Sequence, residues 1–176
     1  MRRMFLPVVA GILVVCCGCK PAPVEITPIG TIRDVMNSIV KPSADYLWGS
    51  VSLIITAKGA ERKEPRTDED WEELHNRAVA LVEATNLLLV PNRHVARDGE
   101  KADNPDVERN PKDIEAMMRT DRATFLNRIA GLRAAALKML AAVDARDVQG
   151  VDDNGEVLDM ACENCHMTYW YLPDKK

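Results

Sequence analysis

Apolar side chains return at intervals of three and four residues along four stretches of the chain, a period that predicts amphipathic helices rather than strands. In the first stretch, residues 31 to about 57, the stripe runs through Ile32, Val35, Met36, Ile39, Tyr46, Leu47, Val51 and Ile54, with Thr31 placed to cap its start. Pro42 falls inside it; a proline has no amide hydrogen and its ring crowds the preceding turn, so a kink is expected near Lys41. A charged, turn-rich connector, KGAERKEPR, follows at 58–66. Thr67 with Asp70 has the pattern of a capping box, and Asp68, Glu69, Glu72 and Glu73 suit the positive end of a helix dipole. The second stripe then runs through Trp71, Leu74, Ala78, Leu81, Thr85 and Leu88 until Pro91 stops it. Residues 91–111 are polar, with prolines at 91, 105 and 111, and predict a long loop that crosses over or flanks a site. A third helix is expected over about 112–146, with Ile114, Met117, Met118, Phe125, Ile129, Leu132, Ala136, Leu140 and Val143 on one side. Gly150 and the run Asp152, Asp153, Asn154, Gly155 predict a break, and Val157, Leu158, Ala161, Cys162, Cys165 and Tyr169 begin a last helix.

Composition agrees with an all-α class: aromatic residues are only 5% of the chain, while Ala, Leu, Val and Met are plentiful. With 176 residues, 47% hydrophobic and 28% charged, there is material for one packed domain and too much apolar content for disorder. The formal net charge is −4 and no basic stripe is interleaved with aromatics, which removes the electrostatic footprint of nucleic-acid binding.

The N-terminus has a different character. Arg2 and Arg3 precede an apolar stretch from Phe5 to Val15, too short to span a bilayer comfortably, and this reads as a signal peptide. Gly18-Cys19 after Leu13, Val14 and Val15 resembles the lipobox of bacterial lipoproteins, which implies lipidation of Cys19 and export to the periplasmic side of a membrane. Residues 1–18 are then the signal, and 19–30, with three prolines in KPAPVEITPIG, a tether. Residues 31–176 are the folded domain.

The chemistry concentrates at Cys162-Glu163-Asn164-Cys165-His166, a C-x-x-C-H sequence, the attachment signature of a c-type haem. On a helix, thiols three residues apart share a face and can each add to one vinyl group along a porphyrin edge, while His166 can turn its imidazole to the iron. Two buried thiols beside a core histidine would leave the coincidence of three rare residue types unexplained. A closed zinc site needs four ligands, and His75 and His94 are isolated with no second C-x-x-C. A thioredoxin-like pair would need a βαβ setting. One motif implies one covalent haem, and the exported N-terminus agrees with the compartment in which such attachment occurs.

A C-x-x-C-H ten residues from the C-terminus, on the last of four predicted helices, together with His166-x-x-Tyr169 and Arg33 near Met36, resembles the class II c-type cytochromes, the cytochrome c′ group. That resemblance implies an antiparallel four-helix bundle holding one haem c. It also implies a residue over the distal face supplied by the first helix: Met in low-spin electron carriers, Leu in five-coordinate gas-binding members. Met36 takes that position here, three residues after Arg33 rather than the family's usual four, and Trp170 stands where members often carry Arg or Lys. Arg33 is a candidate partner for a haem propionate, and Tyr169, Trp170 and Tyr171 form an aromatic group after the motif, one face of which would wall the haem. His75 and His94 are alternative ligands, and Met117 and Met118 read as packing.

The expected function is single-electron transfer by a monohaem cytochrome, not an enzyme, with redox proteins in the periplasm or at the membrane as partners and a homodimer as a further possibility. The alternative is a five-coordinate haem protein that binds a diatomic gas such as nitric oxide. If Cys19 carries the anchor, detergent is needed to extract the mature protein, and Cys19→Ser yields a soluble or mislocalised form. A mature chain that begins elsewhere and retains an unmodified Cys19 contradicts this.

Overall fold

A computed structural model describes residues 26–57 and 59–173. The expected signal peptide and Cys19 lie outside the described residues. Of the tether, 26–30 has no regular structure, and Ile26 and Ile29 are exposed.

The first helical run, 32–48, is continuous but not uniform. It begins as α1 (Ile32–Val35), passes through a π-helical segment (Met36–Val40) and continues as α2 (Lys41–Trp48). Thr31 caps it as expected, accepting from the Asp34 amide at 3.1 Å while Asp34 accepts from the Thr31 amide at 2.9 Å. The next free amides, of Ile32 and Arg33, donate to the carbonyls of His94 and Val95 in the long loop at 2.8 and 3.0 Å, so the loop completes the cap that the helix itself leaves open. Pro42 does not break the run. It occupies the first turn of α2, and the turns before it widen until Lys41 N–H donates to the Met36 carbonyl five residues back. A π turn relieves the crowding that the proline ring would otherwise impose on the preceding carbonyls.

The helix ends at Trp48, not near residue 57, and the all-α expectation is corrected in the stretch that follows. Strands β1 (Ser52–Thr56) and β2 (Gly59–Lys63) form an antiparallel hairpin pairing Ser52 with Lys63 through to Thr56 with Gly59. Val51 and Ile54 satisfied a helical spacing, but the β-branched run Ile54, Ile55, Thr56 favours extended backbone. Gly59 at φ +128° takes a conformation at the turn that other residues resist. The fold is therefore mainly helical with one small two-stranded sheet.

Helix α3 (Asp68–Leu89) has the predicted Thr67–Asp70 capping box. The single third helix expected over 112–146 is two: α4 (Pro111–Thr120) and α5 (Arg122–Asp144), divided at Asp121, whose backbone leaves the helical region and whose carboxylate caps the new start at Thr124 N, 3.0 Å. The last helix, α6 (Val148–Tyr169), starts earlier than expected, and the supposed break at 150–155 lies inside it. Asp147 caps it through Gly150 N at 3.0 Å, and a Cβ on Gly150 would lie 2.6 Å from that carboxylate, which explains the glycine.

Helix α2 packs on α3 and α6, and α5 packs on α3 and α6, so the four contacts close around one core. Leu47, Leu74, Leu81, Met139 and Leu158 are at most 1% exposed. Among the described residues no helix is long and apolar enough to cross a membrane. Leu158 seats α6 from within that core, so Leu158→Ala should lower unfolding free energy by about 3 kcal/mol, measured by urea titration. A loss under about 1 kcal/mol would contradict the packing.

Candidate functional site

The first helical run, the N-terminal half of α5 and the C-terminal half of α6 supply most of the lining of a cavity of about 380 Å³, with α3, α4 and the long loop contributing single residues or pairs. Its walls include Ile32, Val40 and Ala44 from the first run, Phe125, Ile129 and Leu132 from α5, and Met118 from α4. Cys162, Cys165 and His166 line it from α6, and Arg33 and Met36 line it from the first run. Five of the residues singled out in the sequence thus share one mostly apolar cleft, although Arg33 and Met36 stand more than a hundred positions before the other three.

The π segment bears on this placement. An α turn advances about 100° per residue, and inserting a wider turn rotates the later part of the helix relative to the earlier part. Met36, Asn37, Val40, Lys41, Ala44, Asp45 and Trp48 all reach the cavity, from both sides of the switch back to α geometry. Trp48 is also tied to α6, donating from Nε1 to the Gly155 carbonyl at 3.1 Å.

Cys162 and Cys165 are free thiols, half-buried on the inner side of α6. Burial pushes the Cys162 thiol up to about 11, with Asp159, Cys165 and Glu163 adding to the effect. Burial likewise raises Cys165 to about 11, opposed by the cation of Arg128. Burial moves His166 the other way, below the usual imidazole range, opposed by Glu163, so its ring favours the neutral form in which a nitrogen lone pair is free to ligate. Trp170 and Tyr171 stand beside the imidazole, with ring centroids 6.4 and 6.1 Å away.

The loop at 91–110 flanks the site, as its length suggested. Arg109 N–H donates to the Trp170 carbonyl at 2.8 Å, Leu172 N–H to the Val107 carbonyl at 2.8 Å, and Glu108 pairs with Tyr171 across an isolated bridge. This strap fixes the segment just after His166 and brings Asp103 and Glu108 to the cavity rim. At its other end Glu115 accepts from the Val95 amide and faces His94.

Arg33 is held from several sides, one of them an ion pair with Asp103 at 3.7 Å. Its side chain is 12% exposed; Nη1 donates to the Lys101 carbonyl at 3.0 Å, and the guanidinium carbon lies 5.6 Å over the Trp170 ring. Its Nε and Nη2, and Nε of Arg128 on α5, are buried without a hydrogen-bond acceptor. Unpaired buried guanidinium donors are costly, and in a cleft lined by both arginines they could be met by carboxylates of a bound group. Arg128 gave no sequence signal, because an arginine on a long amphipathic helix looks like any solvated residue.

The other candidates divide. Of the three aromatics after the motif, Trp170 and Tyr171 line the cleft, whereas Tyr169 is 3% exposed and packs edge-on against Phe125 at 5.9 Å, behind the wall rather than on it. His75 pairs with Asp144 at 2.7 Å and His94 with Glu115 at 3.1 Å, both away from the cleft. Met118 contributes to the wall, while Met117 packs at the margin of the core. Among the described residues no group of three or more His, Cys, Asp or Glu converges as a metal site would require. Comparison with family models, curated proteins and solved structures finds no match.

Taken together, two thiols, a neutral imidazole and a thioether bordering an apolar cleft can hold a flat, largely apolar cofactor with acidic substituents. In chain produced without attached cofactor, thiols at about 11 should react with iodoacetamide about 100-fold more slowly at pH 8 than a peptide cysteine, the rate rising tenfold per pH unit until about pH 11. Rates equal to the free peptide would show that the thiols are not buried.

Proposed function

We propose that this chain is a monohaem c-type cytochrome, an antiparallel four-helix bundle that carries single electrons in the periplasm, held at the membrane by a lipid on Cys19. The observation that carries the reading is the convergence of Cys162, Cys165 and His166 with Met36 and Arg33 on one apolar cleft. Unpartnered donors of Arg33 and Arg128 support it, because a haem brings two carboxylates and otherwise apolar edges.

Each thiol would add across a vinyl group, sulfur bonding to one carbon and the thiol hydrogen passing to the other, so no oxidant is consumed. His166 would hold the iron through its imidazole, with Trp170, Tyr171 and the 107–109 strap fixing the segment around its ring. Met36, which lines the same cavity from the first helical run, would offer a thioether sulfur as a second ligand. Arg33 and Arg128 would neutralise the propionates. When bound, the haem supplies one-electron exchange at its iron. The protein's part is to set access and potential through axial ligands and burial, with no acid–base pair required.

Axial ligation is read by optical spectra of the oxidised, reduced and carbon monoxide-treated protein. A methionine ligand gives a low-spin ferrous spectrum that carbon monoxide barely perturbs at first, and Met36→Ala converts it to a high-spin, gas-accessible form. A low-spin spectrum unchanged in Met36→Ala would move the ligand to another residue. A wild-type spectrum that is already high-spin and promptly shifted would replace electron carriage with gas binding, and a colourless exported protein would end the haem reading altogether.

A further inference from the structure

The outer side of α6 carries a surface that the cleft does not use. Val157, Met160 and Met167 are 38%, 58% and 63% exposed. With Asn164 between the methionines they follow at spacings of three, four and three residues, which places them on one stripe of the helix. One exposed apolar side chain needs no explanation, whereas a row on one helix face marks an interaction surface.

Beside that row runs another. Asp152, Glu156, Asp159 and Glu163 follow at spacings of four, three and four, on the flank between the methionines and the side that carries Cys162 and His166. With Asp153, α6 holds five carboxylates and no Lys or Arg. The whole chain is only at −4, so this one helix carries its negative field. Among the described residues none of the five is in an ion pair. Like charges along a helix repel; Gln149 donates to Asp153 at 2.8 Å and Tyr171 to Glu163, but among the described residues no Lys or Arg pairs with the row.

We propose that this face of α6 is the docking surface for a basic electron-transfer protein, one that presents an apolar centre rimmed by lysines. The proposal rests on the haem reading given above and names the partner of that same site. Methionines are flexible enough to seat a partner that must also leave, and an acidic flank steers a cationic partner and fixes its orientation. Because the carboxylates adjoin Cys162 and Glu163 lies within the motif itself, a docked partner is brought to the cysteine-bearing edge of the haem. A second copy would bring five carboxylates against five, and an anionic lipid surface would be repelled in the same way, so charge selects the basic protein.

The test is stopped-flow oxidation of the reduced holoprotein by a lysine-rich mitochondrial cytochrome c. The second-order rate constant should fall about tenfold or more between about 20 and 300 mM salt. Asp159→Asn with Glu163→Gln should lower the low-salt rate about fivefold. Met160→Gln with Met167→Gln should lower it at both salts, while Glu69→Gln with Glu72→Gln on α3 should leave it unchanged. A rate indifferent to salt and to the α6 variants overturns the docking surface while the haem reading stands. So does a concentration-dependent dimer that the methionine variants abolish without changing the rate, since that assigns the face to self-association. A holoprotein preparation with no covalent haem overturns both.

Discussion

The seating of α6 is the constraint on which the rest depends. Val151, Leu158 and Tyr169 are each at most 3% exposed and turn one side of the helix into the core, where it packs mainly on α5. Cys162 and Cys165 follow Leu158 and precede Tyr169 at spacings of four, three and four, so the burial of those two carries both thiols inward on the same stripe, with His166 beside them. Neither thiol nor imidazole needs a conformational choice of its own. The same seating turns the carboxylates and methionines outward, so one helix divides its circumference among core, cleft and surface.

Two irregular elements adapt the rest of the fold to that helix. The π segment at Met36–Val40 changes the rotation of the first run midway, and residues before and after the change all face the cleft. The long loop caps the start of that run through His94 and Val95 and, at its far end, holds the segment after His166 through Val107 and Arg109. It therefore spans both walls of the cleft. A loop of this length with so few apolar residues would be a liability without such ties, and buried Val95 adds a hydrophobic one.

Much of this was legible in the sequence where the local rule was strong. Thr31 and Thr67 cap helices as their spacing from Asp34 and Asp70 indicates, and the stripe from Trp71 to Leu88 is buried throughout. The C-x-x-C-H motif, Met36 and Arg33 were visible as residue types at a spacing. Their convergence was expected only through the family resemblance, because it depends on tertiary packing that no periodicity encodes. Failures came where two rules competed. Val51 and Ile54 fit a helical period while the β-branched run beyond them favoured a hairpin, and Gly150 and Asn154 looked like a break although Asp147 caps a helix running through them. Arg128 and the strap across Trp170 are contacts between distant segments, and only the fold brings them to the site.

The central claim is that the two thiols of α6 hold a haem covalently, and peptide mapping of the purified protein tests it most directly. After denaturation in acid and organic solvent, the peptide containing Cys162 through His166 should retain the visible colour and carry the mass of one haem, with no free thiol at either cysteine. A peptide of unmodified mass, with all colour extracted into the solvent, would contradict it.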